Sequence, residues 1–119
     1  MTPAARSIYV FGFYLVVMGA AILGVPDFIM ALLRLPATGD PWFRVLGVPV
    51  MAMGLLHLSC ARSEQTGFFR ATVWVRFIVL LTFIALVVLG LAPPVVILFG
   101  LVDSAGAGWT KLSLARSPA

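Results

Sequence analysis

The sequence holds one cysteine, one histidine and four acidic residues, and charged side chains make up only 10% of it. Each shortage removes a class of function. A single cysteine, Cys60, forms no internal disulfide. With no partner at fixed spacing it reads as a small buried apolar residue and not as a nucleophile. No zinc-ligand spacing, phosphate-binding glycine loop or catalytic-triad signature is present. Neither a metal site nor catalysis is therefore expected. A haem held by this chain alone would need His57 together with a methionine or a ligand from another subunit, so no cofactor is expected, with a haem or pigment shared with a partner left open. Lysines and arginines outnumber acids to give a net charge of +4. They are scattered and form no stripe, so a nucleic-acid partner is not expected.

What is abundant is apolar. Hydrophobic residues make up 62% of the 119, whereas a soluble domain has about 25% charged residues. A spanning helix needs about 20 mostly apolar residues, and the chain has room for four. The expected fold is all-α: one domain over residues 1–119, a polytopic membrane protein whose four transmembrane helices form an antiparallel bundle, with a short interfacial helix after the first. The spans read as about Ser7–Val25, Trp42–Ala61, Phe69–Leu91 and Val95–Leu114. They are separated by "VPD" at Val25–Asp27, the polar "RSEQTG" at Arg62–Gly67 and "APP" at Ala92–Pro94. A residue before proline avoids the helical region and proline supplies no N–H, so the third and fourth spans should form a tight hairpin. Irregular backbone is not tolerated against lipid, which puts the turns at the interfaces. The apolar run after Arg6 exceeds the roughly 7–15 residues of a signal-peptide core and is expected to remain as the first span.

Between the first two spans lies "DFIMALLRLPATGDP". Asp27 can cap a helix over about Phe28–Leu35, whose Phe28, Ala31, Leu32 and Leu35 make one apolar stripe, with Arg34 reaching water. An ordinary structured loop is the alternative. With the N-terminus inside, Arg6, Arg62, Arg70, Lys111 and Arg116 share one side and Arg34 and Arg44 the other. That bias predicts cytoplasmic termini in a bacterial inner membrane, with Trp42 at the outer interface and Trp74 and Trp109 at the inner one.

Polar groups inside the spans are the candidate site. On the fourth, Gly100, Ser104 and Gly108 are four apart, a small-residue stripe for close helix approach. Asp103 lies beside that stripe and is expected to face protein. A charged carboxylate near mid-bilayer costs about 2.5 kcal/mol or more, so it needs a partner. Arg76, across the "APP" turn, is the expected one, with Thr72 and Thr110 as accessories. The pair either only fixes helix register or lines a cavity for a polar head or a proton. Arg44 either snorkels to the outer interface or joins Asp103 in a polar path. His57 is either a hydrogen-bonded packing residue or a ligand. Pro49 is expected to kink the second span and free a carbonyl. Glycine pairs seven apart, Gly12/Gly19 and Gly47/Gly54, are expected to serve helix packing.

The strings "PWFRVLGVPVMAMGLLHL", "FFRATVWVRFIVLLTFIALVVLGLAPP" and "LFGLVDSAGAGWT" resemble those of small bacterial four-helix membrane proteins without an assigned activity. More distantly they resemble the DoxX-like group, with Arg44, Arg76 and Asp103 carrying the likeness. That resemblance implies a four-helix bundle, in some cases a partner of quinone-linked redox enzymes. Lacking paired cysteines or dense histidines, this chain is not expected to be a redox centre itself. The first expectation for function is an accessory or assembly subunit that packs against another membrane protein or itself amid membrane lipids. The alternative is a binder or carrier of a small amphiphile, such as a quinone, isoprenoid or lipid, anchored by Asp103 and Arg76. A third is a small proton-coupled transporter, against which an arginine beside the acid counts.

Overall fold

The computed structural model describes residues 1–36, 39 and 41–116. Its helices are α1 (Pro3–Gly24), α2 (Pro26–Leu32), α3 (Pro41–Arg62), α4 (Thr66–Val88) and α5 (Val95–Arg116). No strand occurs among the described residues. α1, α3, α4 and α5 are each long and apolar enough to cross a membrane, so the fold is the expected all-α, four-span bundle with a short helix after the first span.

Local chemistry moves several boundaries. α1 starts at Pro3, ahead of Ser7, because the Thr2 hydroxyl accepts the Ala5 N–H at 3.2 Å and proline suits the first helical position, where no N–H is needed. Pro26 does the same for α2, whose N-cap is Val25 with no side-chain bond. Asp27 is thus not the cap but a first-turn acid, beside the positive end of the helix dipole. The anticipated stripe is also corrected. Phe28 and Leu32 are each 61% exposed while Ile29 and Met30 are buried: both sides of this short helix carry apolar residues, and packing turns the Ile29–Met30 side inward.

α2, α3 and α4 end alike. Leu35, Gln65 and Leu91 donate N–H bonds to the carbonyls of Met30, Cys60 and Leu86 at 2.8, 3.0 and 2.8 Å, the long bond of a Schellman ending. The residue before each donor is left-handed: Arg34 at φ 57°, Glu64 at φ 52° and Gly90 at φ 74°. Only glycine adopts that conformation without strain. At Glu64 the strained position has a use, since its carboxylate accepts both the N–H and the hydroxyl of Thr2 at 2.8 Å each. The α3–α4 turn is thereby tied to the start of α1.

These bonds hold the Glu64 carboxyl below its ordinary value of 4.5, the Thr2 N–H first, then the Thr2 hydroxyl, with the N-terminal ammonium adding to both. A carboxyl whose folded value is depressed stabilises the fold above its unfolded value, and that contribution is lost as pH falls through the folded one. Thermal unfolding in detergent should therefore show a midpoint that drops as pH is lowered from 4.5. In Glu64→Gln that dependence should flatten. An undiminished slope in the variant would assign it to another carboxylate.

Each long helix buries a line of residues spaced by three, four or seven. The seam runs through Ala5, Ile8, Gly12, Gly19 and Ile22 on α1, and through Gly47, Gly54, His57 and Ala61 on α3. On α4 it takes Phe69, Thr72 and Arg76, and on α5 Gly100, Ala107 and Thr110. This is the 3.5-residue repeat of left-handed helix packing. α1 is central, packed against α3 on one side and α5 on the other, with α4 beyond α5; α3 and α4 make no extended contact. The result is a flattened body of 49 × 30 × 17 Å. Ala4, Ala5, Ile8, Ala61 and Phe69 form one apolar cluster, packed by Leu114. The start of α1, the end of α5 and the α3–α4 turn therefore share one end of the bundle.

The glycines seven apart meet in antiparallel register. A Cβ on Gly12 would lie 2.9 Å from the Gly54 carbonyl oxygen, and one on Gly47 would lie 2.6 Å from that of Gly19. The backbones of α1 and α3 therefore touch, and α3 does so as one helix that continues through Pro49. The stripe of Gly100, Ser104 and Gly108 does not hold. Gly100 packs tightly on Leu80 of α4, but nothing lies within 4 Å of where a Gly108 Cβ would be, and Ser104 is only half-buried. Residues four apart drift about 40° per step at 3.6 residues per turn, so Gly108 has turned aside by about 80°. Ala107, seven after Gly100, returns to within about 20° and is fully buried.

Candidate functional site

Seam positions bring polar side chains together in the half of the bundle nearer the chain ends. Arg76, the inward position one turn beyond Thr72 on α4, is 3% exposed. Its Nε donates to the Thr72 carbonyl at 3.3 Å, and its Nη2 donates to the Thr72 hydroxyl at 3.2 Å and the Thr110 hydroxyl at 3.1 Å. Thr110 stands 2.7 Å from the Ser7 hydroxyl, which also lies 2.7 Å from the Ala4 carbonyl that accepts from it. The chain of bonds thus joins α4, α5 and α1. The guanidinium carbon lies 4.4 Å from the centre of the Phe11 ring, which receives the cation on its face. Nη1, pressed toward Gly106, is buried without a hydrogen-bond partner.

The expected ion pair is not made. Asp103 stands at the seam position between Gly100 and Ala107, yet no hydrogen bond or ion pair within 4.0 Å reaches it from any described residue. Arg76 is drawn instead to the two threonines, whose hydroxyls lie within its reach on its own helix and on α5. What Arg76 and Asp103 share is a wall. Where α3 and α4 part, a cavity of about 300 Å³ is lined by both of them, by His57 and Thr72, and by Phe11 and Leu15 on its floor. Met53 and Val75, 44% and 53% exposed, stand at its lips, so the cavity faces sideways, toward lipid. A second cavity of about 260 Å³ lies toward α2, lined by Tyr14, Ile29, Phe43 and Phe99 among others. Leu15, Val50 and Asp103 line both.

His57 is 3% exposed. Its Nδ1 lies 2.7 Å from the Met53 carbonyl, which can only accept, so Nδ1 carries a proton, and in the neutral ring Nε2 is the acceptor. The rings of Phe11 and Phe68 meet the imidazole edge-on at 5.2 and 4.9 Å. It is both a packing residue and a wall of the cavity. Arg44 is exposed and lines neither cavity, because Phe43 takes the inward position four residues before Gly47. The polar path through Arg44 is therefore not formed. Cys60 is half-buried, next to the seam residue Ala61 and not on it.

Ser7, Phe11, Tyr14 and Gly106 belong to the site and were not foreseen. The available signal was spacing: Ser7, Phe11 and Tyr14 follow one another by four and three on α1. Chemically the cavity offers a buried donor at Arg76, acceptors at Asp103 and His57 Nε2, and otherwise apolar walls. Among the described residues no group of three or more His, Cys, Asp or Glu side chains could hold a metal ion. No protein-family model, no curated protein and no solved structure matches this chain, so a functional reading rests on this geometry.

Proposed function

We propose that this membrane protein binds a small amphiphile between α3 and α4, its polar head among Arg76, Asp103 and His57 and its apolar part along the adjoining walls. The observation that carries this reading is that two polar groups with unmet hydrogen bonds line one cavity: Arg76, whose Nη1 is buried without a partner, and Asp103, which no hydrogen bond or ion pair within 4.0 Å reaches from any described residue. Buried polar groups are almost always partnered, and an exception asks for a missing partner. A head group carrying both an acceptor and a donor would answer both, and the cavity's size and mostly apolar lining suit an amphiphile of the quinone, isoprenoid or lipid kind. The excess of cations on the side of the α3–α4 turn supports cytoplasmic termini.

The second reading is an accessory subunit, favoured by the gap between α3 and α4, which a helix of another membrane protein could fill. Native mass spectrometry of gently solubilised protein separates the two. A bound small amphiphile is expected, retained about tenfold less by Asp103→Asn, the loss of about 1.4 kcal/mol of head-group interaction. The emptied variant should unfold at a higher temperature than the emptied parent, because an unpaired half-buried charge has been removed. A stable larger protein partner without any small molecule would favour the subunit, and equal retention by the variant would sink the binding role of Asp103.

A further inference from the structure

A separate groove, about 290 Å³, lies between α4 and α5 near the chain ends, on the opposite side of α4 from the cavity described above. Its rim carries Arg70 of α4 and Lys111 of α5, both exposed; its walls are Val73, Trp74, Phe77 and Leu114. We propose that this groove is a specific site for an anionic phospholipid, whose phosphate sits between Arg70 and Lys111 and whose acyl chain runs inward along Phe77.

Charge complementarity carries the choice of occupant. Two cations contributed by different helices face one groove, and among the described residues no acidic side chain lines it. Polarity also changes along its length in the sense a lipid has. Arg70 lies four residues into α4, and Phe77 lies seven residues further, about 10 Å deeper at 1.5 Å per residue. Trp74, 67% exposed, stands between them at the depth where an amphipathic ring suits the head-group boundary. A soluble anion would find the cations but leave the apolar walls bare; an acyl chain covers them. A zwitterionic lipid would fill the walls but bring a choline cation toward Arg70 and Lys111. Basic pockets between spanning helices are suited to anionic head groups for this reason.

The test is a titration of the detergent-solubilised full chain with phosphatidylglycerol and, separately, phosphatidylcholine, read by native mass spectrometry. Phosphatidylglycerol should be preferred. Each cation near a lipid surface is worth about a fivefold change in binding, so Arg70→Gln with Lys111→Gln should weaken phosphatidylglycerol by roughly thirtyfold. Both side chains are exposed, and the variant's unfolding temperature without lipid should match the parent's, which shows that a loss of binding is not a loss of fold. Arg6→Gln removes an exposed cation outside the groove and should leave the preference intact. Inorganic phosphate at millimolar concentration should not displace the lipid. Equal binding of the two lipids, an unchanged double variant, an equal effect of Arg6→Gln or displacement by phosphate alone would each overturn the proposal.

Discussion

Gly19→Ala is expected to lower the unfolding temperature sharply, although it adds one methyl group. The new Cβ would lie 2.5 Å from the Met51 nitrogen and 2.8 Å from the Gly47 oxygen. Both are backbone atoms, so no side chain can swing aside and the two helices must separate along their seam. Overpacking costs about 1–3 kcal/mol, and a backbone neighbour puts this case at the upper end, beyond the roughly 1 kcal/mol that alanine returns through helix propensity. The consequence is larger in lipid than in water, because close van der Waals contact, and not escape from solvent, drives helices together there. Gly54→Ala meets the Val16 nitrogen at 2.6 Å and the Gly12 oxygen at 2.7 Å and should behave likewise. Gly100→Ala meets chiefly the end of the Leu80 side chain at 2.9 Å, which can move, so its loss should be smaller. Gly108→Ala meets nothing within 4 Å and should stabilise the helix by up to about 1 kcal/mol. Thermal unfolding in detergent, followed by circular dichroism, gives the order. Equal shifts for Gly19→Ala and Gly108→Ala would refute the backbone contact between α1 and α3.

Thr110→Val should be the costliest change in the polar network, costlier than removing the cation it serves. Thr110 is fully buried and meets Arg76 Nη2 at 3.1 Å and the Ser7 hydroxyl at 2.7 Å. A hydrogen bond to a charged group is worth about 1.5–3 kcal/mol, and leaving the charge behind adds its desolvation. The expected loss is about 2–4 kcal/mol. Arg76→Met removes the same bonds together with the charge that made them necessary, and a cation already short of one partner at Nη1 is expensive to keep. The remaining hydroxyls retain the Phe69 and Gly106 carbonyls at 3.0 and 3.1 Å. In the Arg76→Met background Thr110→Val should therefore cost only about 1 kcal/mol or less, a coupling of about 2 kcal/mol. A double-mutant cycle by unfolding in detergent measures it, and additivity within about 0.5 kcal/mol would dissolve the network.

The helices were legible because their signals are local. Long apolar runs broken by "RSEQTG" and "APP" are readable without knowing what each helix touches. The missed starts were written in the sequence too, as Thr2-Pro3 ahead of α1 and Val25-Pro26 ahead of α2. The stripe on α5 failed for a different reason. Spacing by four and spacing by seven both look helical, but over two turns only the latter stays on one face, which is why Ala107 and not Gly108 is buried. The glycine pairs of α1 and α3, already seven apart, were assigned to packing, and packing is where they lie.

The charged residues mark the boundary of what the chain's order of residues can say. Composition by itself determined that the protein is an all-helical membrane bundle, because every span must satisfy its own backbone where no water does. The same order of residues identified Arg76 and Asp103 as polar groups needing partners. Only the packed bundle decided which partners. Arg76 bonds Thr72 one turn away on its own helix and Thr110 across on α5, and α3 stands apart from α4 so that Asp103 borders a cavity. Partner choice depends on distances of a few ångströms between helices, and those are set by which small residues let two backbones touch and which large ones hold them apart.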